Sequence, residues 1–264
     1  MINVIVCMKQ VPDPEAPPSA FKVDTEAKKV VVGSGVPPVM NPFDENALEA
    51  ALKIKDTVLA HITVICAGNN LSLPVLRRAL AVGADDLILL QDNLFTNLDS
   101  FSTARILSAA IRKVGHFSII LTGRQASDTD AGMVGFGIAE ILAIPVISLA
   151  RKISIIDDRL IVEQVLSDGY HVSESNIPAL MTVGGEMDSL RAATLKALLE
   201  AKKKPVLTWH INDIGFAQSD LKIPNIMKIF APQPKGEVCK FITADSEEQA
   251  GINLAHELIQ AKLY

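Results

Sequence analysis

Residues 118–149 decide the fold. Ser118-Ile119-Ile120-Leu121 is a short apolar run, and Gly123-Arg124-Gln125-Ala126-Ser127-Asp128-Thr129-Asp130-Ala131-Gly132-Met133-Val134-Gly135 is a polar, glycine-bearing stretch. Val134, Ile138, Ile141 and Leu142 then fall at i, i+4, i+7 and i+8, the spacing of one helix face. After Pro145, Val146-Ile147-Ser148-Leu149 is apolar again. The order is strand, loop, amphipathic helix, strand. A membrane span over Ala131–Ala150, where Glu140 is the one charge, is the competing reading. Gly132, Gly135, Gly137 and Pro145 interrupt it, whereas a span needs about 20 uninterrupted apolar residues.

The same alternation runs back to the start of the chain. Ile2–Met8, His61–Cys66 and Asp86–Leu90 read as apolar strands; Leu73–Val82 and Phe101–Val114 read as helices. Asn41-Pro42 opens another helix, with Asn in the N-cap position, Pro at the first helical position, and Phe43, Ala47, Leu48, Ala51 and Leu52 on one face. Glu49 and Lys53 are spaced for an i,i+4 pair. Phe21-Lys22-Val23 and Val30-Val31-Val32 flank a charged turn and predict a hairpin inserted after the first strand. Repeated βα alternation predicts a doubly wound α/β fold with a mainly parallel sheet.

Beyond residue 150 the rhythm changes. Arg159–Leu166, Tyr170–Glu174 and Ala179–Val183 read as extended segments added antiparallel to the sheet, separated by Ser167-Asp168-Gly169 and Asn176-Ile177-Pro178. Thr194–Lys204 reads as a helix ending in Lys202-Lys203-Lys204, and Glu247–Lys262 as a closing helix. The expected organisation is an α/β domain over 1–190, a loop and helix over 191–204, and a C-terminal arm over 205–264.

Composition supports this. Apolar residues are 49% of the 264 and aromatic residues only 5%, with a mean hydropathy of +0.30. Such an aliphatic chain suits strands buried on both faces, and its positive hydropathy fits an apolar surface covered by a partner. The 25 basic and 30 acidic residues leave a net charge of −5, against a broad nucleic-acid surface. Cys7, Cys66 and Cys239 are far apart, and the five histidines form no HExxH or HxH, so neither a disulfide framework nor a metal site is indicated. Met1–Cys7 reads as a strand rather than a signal peptide, and the chain as cytoplasmic.

In a doubly wound sheet, ligands sit beyond the carboxyl ends of the strands. Four such ends carry polar chemistry: Cys7-Met8-Lys9-Gln10, Asn41-Pro42-Phe43-Asp44, Cys66-Ala67-Gly68-Asn69, and the stretch from Gly123 to Gly135. The last combines close backbone approach, a helix N-terminus and Arg124, features that suit a phosphate. Asp128 and Asp130 suit capping or ribose hydroxyls instead. There is no Walker loop and no GxGxxG. On these residues alone a nucleotide site and a merely well-capped helix both stand open. No Ser/His/Asp or Cys/His set is spaced for nucleophilic catalysis.

Taken together, Val6-Cys7-Met8-Lys9-Gln10-Val11-Pro12-Asp13, Met40-Asn41-Pro42-Phe43-Asp44-Glu45, Ala79-Leu80-Ala81-Val82-Gly83-Ala84-Asp85, Gly123 to Asp130, Ile177-Pro178-Ala179-Leu180-Met181-Thr182-Val183, and Ala193-Thr194-Leu195 with Ala201 to Lys204 resemble, in order, the β subunit of electron-transfer flavoproteins (the ETF β/FixA family). The resemblance implies a Rossmann-like fold of the adenine nucleotide alpha-hydrolase-like type. It also implies an electron carrier that pairs with an ETF α subunit, which holds most of the FAD site. The β chain then holds a second nucleotide, a structural AMP in ordinary carriers or a second FAD, reduced by NADH, in bifurcating ones. Electrons pass from a dehydrogenase to an acceptor oxidoreductase. A nucleotide-sensing protein of the same architecture is the reading from another class.

Carried onto this sequence, the second nucleotide touches Cys7, Asn41, Pro42, Phe43, Asp44, Cys66 or Ala67, and the run Gly123, Arg124, Gln125, Ala126, Ser127, Asp128, Thr129, Asp130, Ala131, Gly132, Met133 and Val134. Ala193-Thr194-Leu195 resembles the family's partner-recognition loop, with Leu195 as its anchor. Three departures stand out: Gln164 where the family carries a basic residue, Met133 where Gln is common, and Met187-Asp188-Ser189-Leu190-Arg191 without the usual proline.

Overall fold

The computed structural model describes residues 1–157, 159–221, 225–232 and 239–263. It divides into a large unit, Met1–Lys228, and a small one, Ile229–Tyr264.

In chain order the elements are β1 (Ile2–Met8), β2 (Gln10–Pro12), β3 (Phe21–Asp24), β4 (Lys29–Val32), β5 (Pro38–Met40), α1 (Pro42–Thr57), β6 (Ala60–Gly68), α2 (Leu73–Val82), β7 (Asp86–Gln91), α3 (Ser100–Val114), β8 (Ile119–Gly123), α4 (Val134–Leu142), β9 (Val146–Ile156), β10 (Arg159–Leu166), β11 (Gly169–Asn176), β12 (Ala179–Val183), α5 (Leu195–Ala201), β13 (Leu207–Trp209) and α6 (Glu247–Gln260). Nine strands form one sheet in the order β11-β10-β9-β12-β8-β1-β6-β7-β13. The seven from β9 to β13 along that order run parallel, and β10 and β11 extend the β9 edge antiparallel. This is the doubly wound α/β arrangement expected from the alternation.

Strand β1 shows why both faces are covered. Val4, Val6 and Met8 point into one core with α1 and α2, whereas Ile5 and Cys7 point into the other with α3 and α4. Alternate side chains leave on opposite faces, so an uninterrupted apolar run must be buried twice. The chain proceeds from β1 to β6 and β7 on one side, then returns to β8 on the other side of β1. The loops after β1 and β8 therefore diverge, which opens a crevice at their carboxyl ends.

The structure corrects two readings. Ala179–Val183 is not an antiparallel addition: β12 lies inside the sheet, parallel to both β8 and β9. All five of its residues are buried, as a central parallel strand requires. Glu49 and Lys53 do not pair with each other; Glu49 is buried and binds Arg191, while Lys53 binds Asp188. A nearby backbone segment with its own charges outcompetes the helix neighbour. The hairpin predicted after β1 is present as β3 and β4, which pair Phe21 with Val32. Among the described residues no helix is long and apolar enough to cross a membrane.

In the small unit, the closing helix expected from sequence is α6. The Ser246 side chain accepts from the Gln249 N–H and caps its first turn.

Helices α3 and α4 touch at Gly137, where an added Cβ would lie 2.8 Å from the Cβ of Ala104. Replacing a helix-interior glycine by alanine ordinarily stabilises by about 0.5–1 kcal/mol. Here Gly137→Ala is expected to destabilise by about 1–2 kcal/mol, because Ala104 is fully buried and cannot yield. Urea unfolding measures this, and Ala104→Gly in the same chain should recover most of the loss.

Candidate functional site

A cavity of about 590 Å³ opens at the carboxyl ends of β1, β6, β7 and β8, within the usual range for small-molecule sites. Cys7 to Gln10 come from the end of β1, Asn41 and Asp44 from the start of α1, and Ala67 to Leu71 from the end of β6. Gly123–Ala126, Asp128, Thr129 and Ala131–Gly135 come from the loop after β8. The four chain segments expected from sequence thus meet around one space.

Asp44 organises the crevice. Its Oδ2 accepts from the Lys9 N–H at 2.7 Å and its Oδ1 from the Gly123 N–H at 2.9 Å, joining the ends of β1 and β8. Burial pushes its carboxyl up to about 7, opposed by hydrogen bonds from Lys9, Asn41 and Gly123. Gly123 leaves no room for a side chain: a Cβ there would collide with Asp44 Oδ1 and lie 2.8 Å from the Phe43 carbonyl carbon. Glycine at this position is therefore a requirement of close approach.

Asn41 occupies the N-cap position of α1 as expected, yet its side chain makes no capping hydrogen bond. It reaches across to the β8–α4 loop, donating from Nδ2 to the Gln125 carbonyl at 2.8 Å and accepting at Oδ1 from the Ser127 N–H at 3.0 Å. Gln10 grips the next loop in the same way, through the Asn70 carbonyl and the Ser72 N–H. Lys9 Nζ and Asp128 form a two-pronged ion pair at 2.6 and 2.7 Å, linking β1 to the loop.

Neither loop aspartate caps α4. Met133 stands at its N-cap with no side-chain hydrogen bond, Asp128 is taken by Lys9, and Asp130 accepts from Gln125 Nε2. No side chain therefore caps the first turn of α4, and Met133, Val134 and Gly135 at its start line the crevice. Among the described residues, four buried side-chain polar atoms lack a hydrogen-bond partner, and three of them fall close together in sequence: Thr122 Oγ1 in β8, and Arg124 Nε and Ser127 Oγ in the loop after it, of which Arg124 lines the cavity. Buried polar atoms are ordinarily satisfied, so their clustering is informative. The Arg124 guanidinium stacks on Phe43, 4.8 Å from the ring centre, which holds the cation against the site.

Several expected residues support the cavity without lining it. Pro42 is the first residue of α1, Phe43 carries Arg124, Asp130 holds Gln125, and Ser127 is fastened through its backbone. Of Cys66 and Ala67, Ala67 lines the space; Cys66 points into the core below, and burial pushes its thiol up to about 12. Burial also raises the Cys7 thiol, with the Asp44 charge adding to it, so neither cysteine is a nucleophile. Ala193, Thr194 and Leu195 lie elsewhere, at the start of α5. There Thr194 caps the helix, and Leu195 joins Leu73, Pro74, Arg77 and Arg78 around a second groove of about 360 Å³.

Sequence reading missed a further wall. Phe95, Asn97, Leu98, Asp99, Ser100, Thr103 and Leu107, from the loop after β7 and the start of α3, line the cavity. The strand-end rule applied to β7 would have found them. Gln164 stands where a basic residue was expected, and it braces the sheet. Its amide donates to the Ser148 carbonyl and accepts from Ser173 Oγ, at the point where the β9–β10 register shifts.

The Asp44 carboxyl yields a pH prediction. Between its unfolded value near 4 and its folded value near 7, the folded protein holds a proton that the unfolded chain releases. Its contribution to stability is therefore fully present below about pH 4, declines as pH rises to about 7, and is flat above. Asp44→Asn, which cannot ionise, should remove this component. The stability difference between the two proteins should change by about 4 kcal/mol over that window, measured by denaturant unfolding at a series of pH values.

The electron transfer flavoprotein domain pattern matches residues 28–214 of this chain. The chain is 39% identical to the electron transfer flavoprotein subunit beta of Thermoanaerobacterium thermosaccharolyticum over 83% of each chain. It is 35% identical to that of Megasphaera elsdenii over 99% of each. It is also 35% identical to the caffeyl-CoA reductase-Etf complex subunit CarD of Acetobacterium woodii, over 89% of this chain and 90% of that one. With the strand-end cavity, the sheet order and these likenesses in agreement, the chain belongs to the electron transfer flavoprotein β subunit family and is an electron-transfer subunit.

Proposed function

We propose that this chain is the nucleotide-holding partner of an ETF α subunit in a cytoplasmic heterodimer, and that an AMP lies in the cavity at the ends of β1 and β8. The observation that carries this reading is Arg124, which lines the cavity with its buried Nε unpartnered, beside the N-terminus of α4, which no side chain caps. A phosphate meets those needs, since helix N-termini and arginine favour anions. The side chains of Phe95, Leu98 and Leu107, with Ala67, offer an apolar wall for a purine.

The redox chemistry belongs to an FAD held mainly by the α subunit, which takes electrons from a dehydrogenase and passes them to an acceptor oxidoreductase. The part of this chain is to present a docking surface, for which Ala193, Thr194 and the exposed Leu195 are the candidates.

The test is made on the chain co-expressed with its α partner. Denaturing the purified complex and separating the released nucleotides should give one FAD and one AMP per heterodimer. Two FAD and no AMP would transfer the cavity to a second flavin and make this a bifurcating-type complex. FAD alone, at one per heterodimer, would overturn a nucleotide in this subunit. Asn41→Leu, which frees both Gln125 and Ser127, is expected to lower nucleotide retention about tenfold or more, because each buried hydrogen bond lost costs about 1–3 kcal/mol.

A further inference from the structure

The segment that carries Leu195 is fastened at both ends. Asn46, Glu49, Lys53 and Asp56 recur every three or four residues, so they form one stripe along α1. All four grip residues 187–191. Asn46 Nδ2 donates to the carbonyls of Asp188 and Met187 at 3.1 and 3.4 Å, and Lys53 pairs with Asp188. Arg191 donates its backbone N–H to Glu49 Oε2 at 2.9 Å, and its guanidinium reaches Glu49 Oε1 and Asp56 Oδ2, each at 2.8 Å. Glu49 is buried, so its charge depends on Arg191 for compensation.

The other end is held from α2. Arg77 Nη1 donates to the carbonyls of Ala201 and Lys202 at 2.7 and 2.8 Å, and to that of Lys204 at 3.2 Å, closing the C-terminal end of α5. Between the two arginines, Leu195, Leu198 and Leu199 stand 74%, 37% and 52% exposed. A seven-residue helix has no stability of its own, so its position is imposed by what holds its ends. Lys202 and Lys203 border the leucines with exposed positive charge, while Lys196 is paired with the exposed Glu200 at 3.9 Å.

We propose that Arg191 and Arg77 are positioning residues that hold α5 as a preformed docking ridge for the redox partner, a dehydrogenase whose surface offers an apolar pocket edged by acidic side chains. The inference rests on the reading of Leu195 as a docking anchor. Preforming the ridge removes the ordering cost from the encounter, and the lysines favour an acidic rim.

The test uses the heterodimer of the full chain with its α partner and the purified dehydrogenase that reduces the wild-type complex. The KM for the heterodimer, kcat, nucleotide content and amide hydrogen exchange over residues 193–199 are measured for Leu195→Ala, Arg191→Met, Arg77→Met and Asp56→Asn. Arg191→Met and Arg77→Met are expected to raise KM about five- to tenfold with kcat and nucleotide content unchanged, and to speed exchange over 193–199. Leu195→Ala should raise KM without speeding exchange. Asp56→Asn, which alters only an exposed carboxylate, should raise KM about twofold and carries the test with Arg77→Met if Arg191→Met does not fold. A raised KM in Leu195→Ala with unchanged KM in the arginine variants overturns the positioning role alone. An unchanged KM in Leu195→Ala overturns the docking reading and this one with it.

Discussion

At the centre of the sheet two parallel strands end side by side with their loops leaving in opposite directions, and the N–H groups at those ends have no continuing ladder to join. Asp44 resolves this. One buried carboxylate accepts from Lys9 after β1 and from Gly123 at the end of β8, so the crevice has a fixed width. A buried carboxylate is costly in free energy, which is why its proton affinity rises so far above that of an exposed aspartate. The rest of the site depends on this arrangement. Asn41, three residues earlier, can reach the β8–α4 loop because Asp44 has brought that loop's origin against the start of α1.

Helix α1 therefore serves two purposes along its length. Its first turn fastens the cavity through Asn41 and Asp44. Further along, Glu49, Lys53 and Asp56 fasten the segment that leads to Leu195. A rigid helix packed on a parallel sheet is suited to this, since its side chains emerge at fixed intervals and its axis does not bend between them. The strand-end cavity and the segment leading to the exposed leucines are thus both fastened to one helix without sharing a residue.

Much of the architecture was legible in the chain because hydrophobic periodicity reports burial directly. The helices at Leu73–Val82 and Phe101–Val114 and the strands at Ile2–Met8 and Asp86–Leu90 were recognisable from spacing alone, and the structure reproduces them within about two residues. Ala179–Val183 shows where that signal stops. Its apolar run identified a strand, but nothing within five residues says which neighbours it joins, and it proved to be a central parallel strand between β8 and β9. Sheet order is a property of contacts far apart in sequence.

The candidate site divides in the same way. The strand-end rule, applied to residue type and to glycine content, identified four of the segments around the cavity and missed the one after β7, and the ordered motifs identified the family. Charge partners were beyond its reach. Glu49 and Lys53 have the spacing of a helix pair, yet Arg191 and Asp188, 142 and 135 residues away, claim them. Asn41 has the character of a cap, yet its amide is used on a loop more than eighty residues distant. Local sequence determined which segments are strands, helices and turns, because periodic burial and backbone preference act over a few residues. Only the tertiary structure decided which polar groups are buried together, because a desolvated charge or amide takes whichever partner the fold brings within about 3 Å.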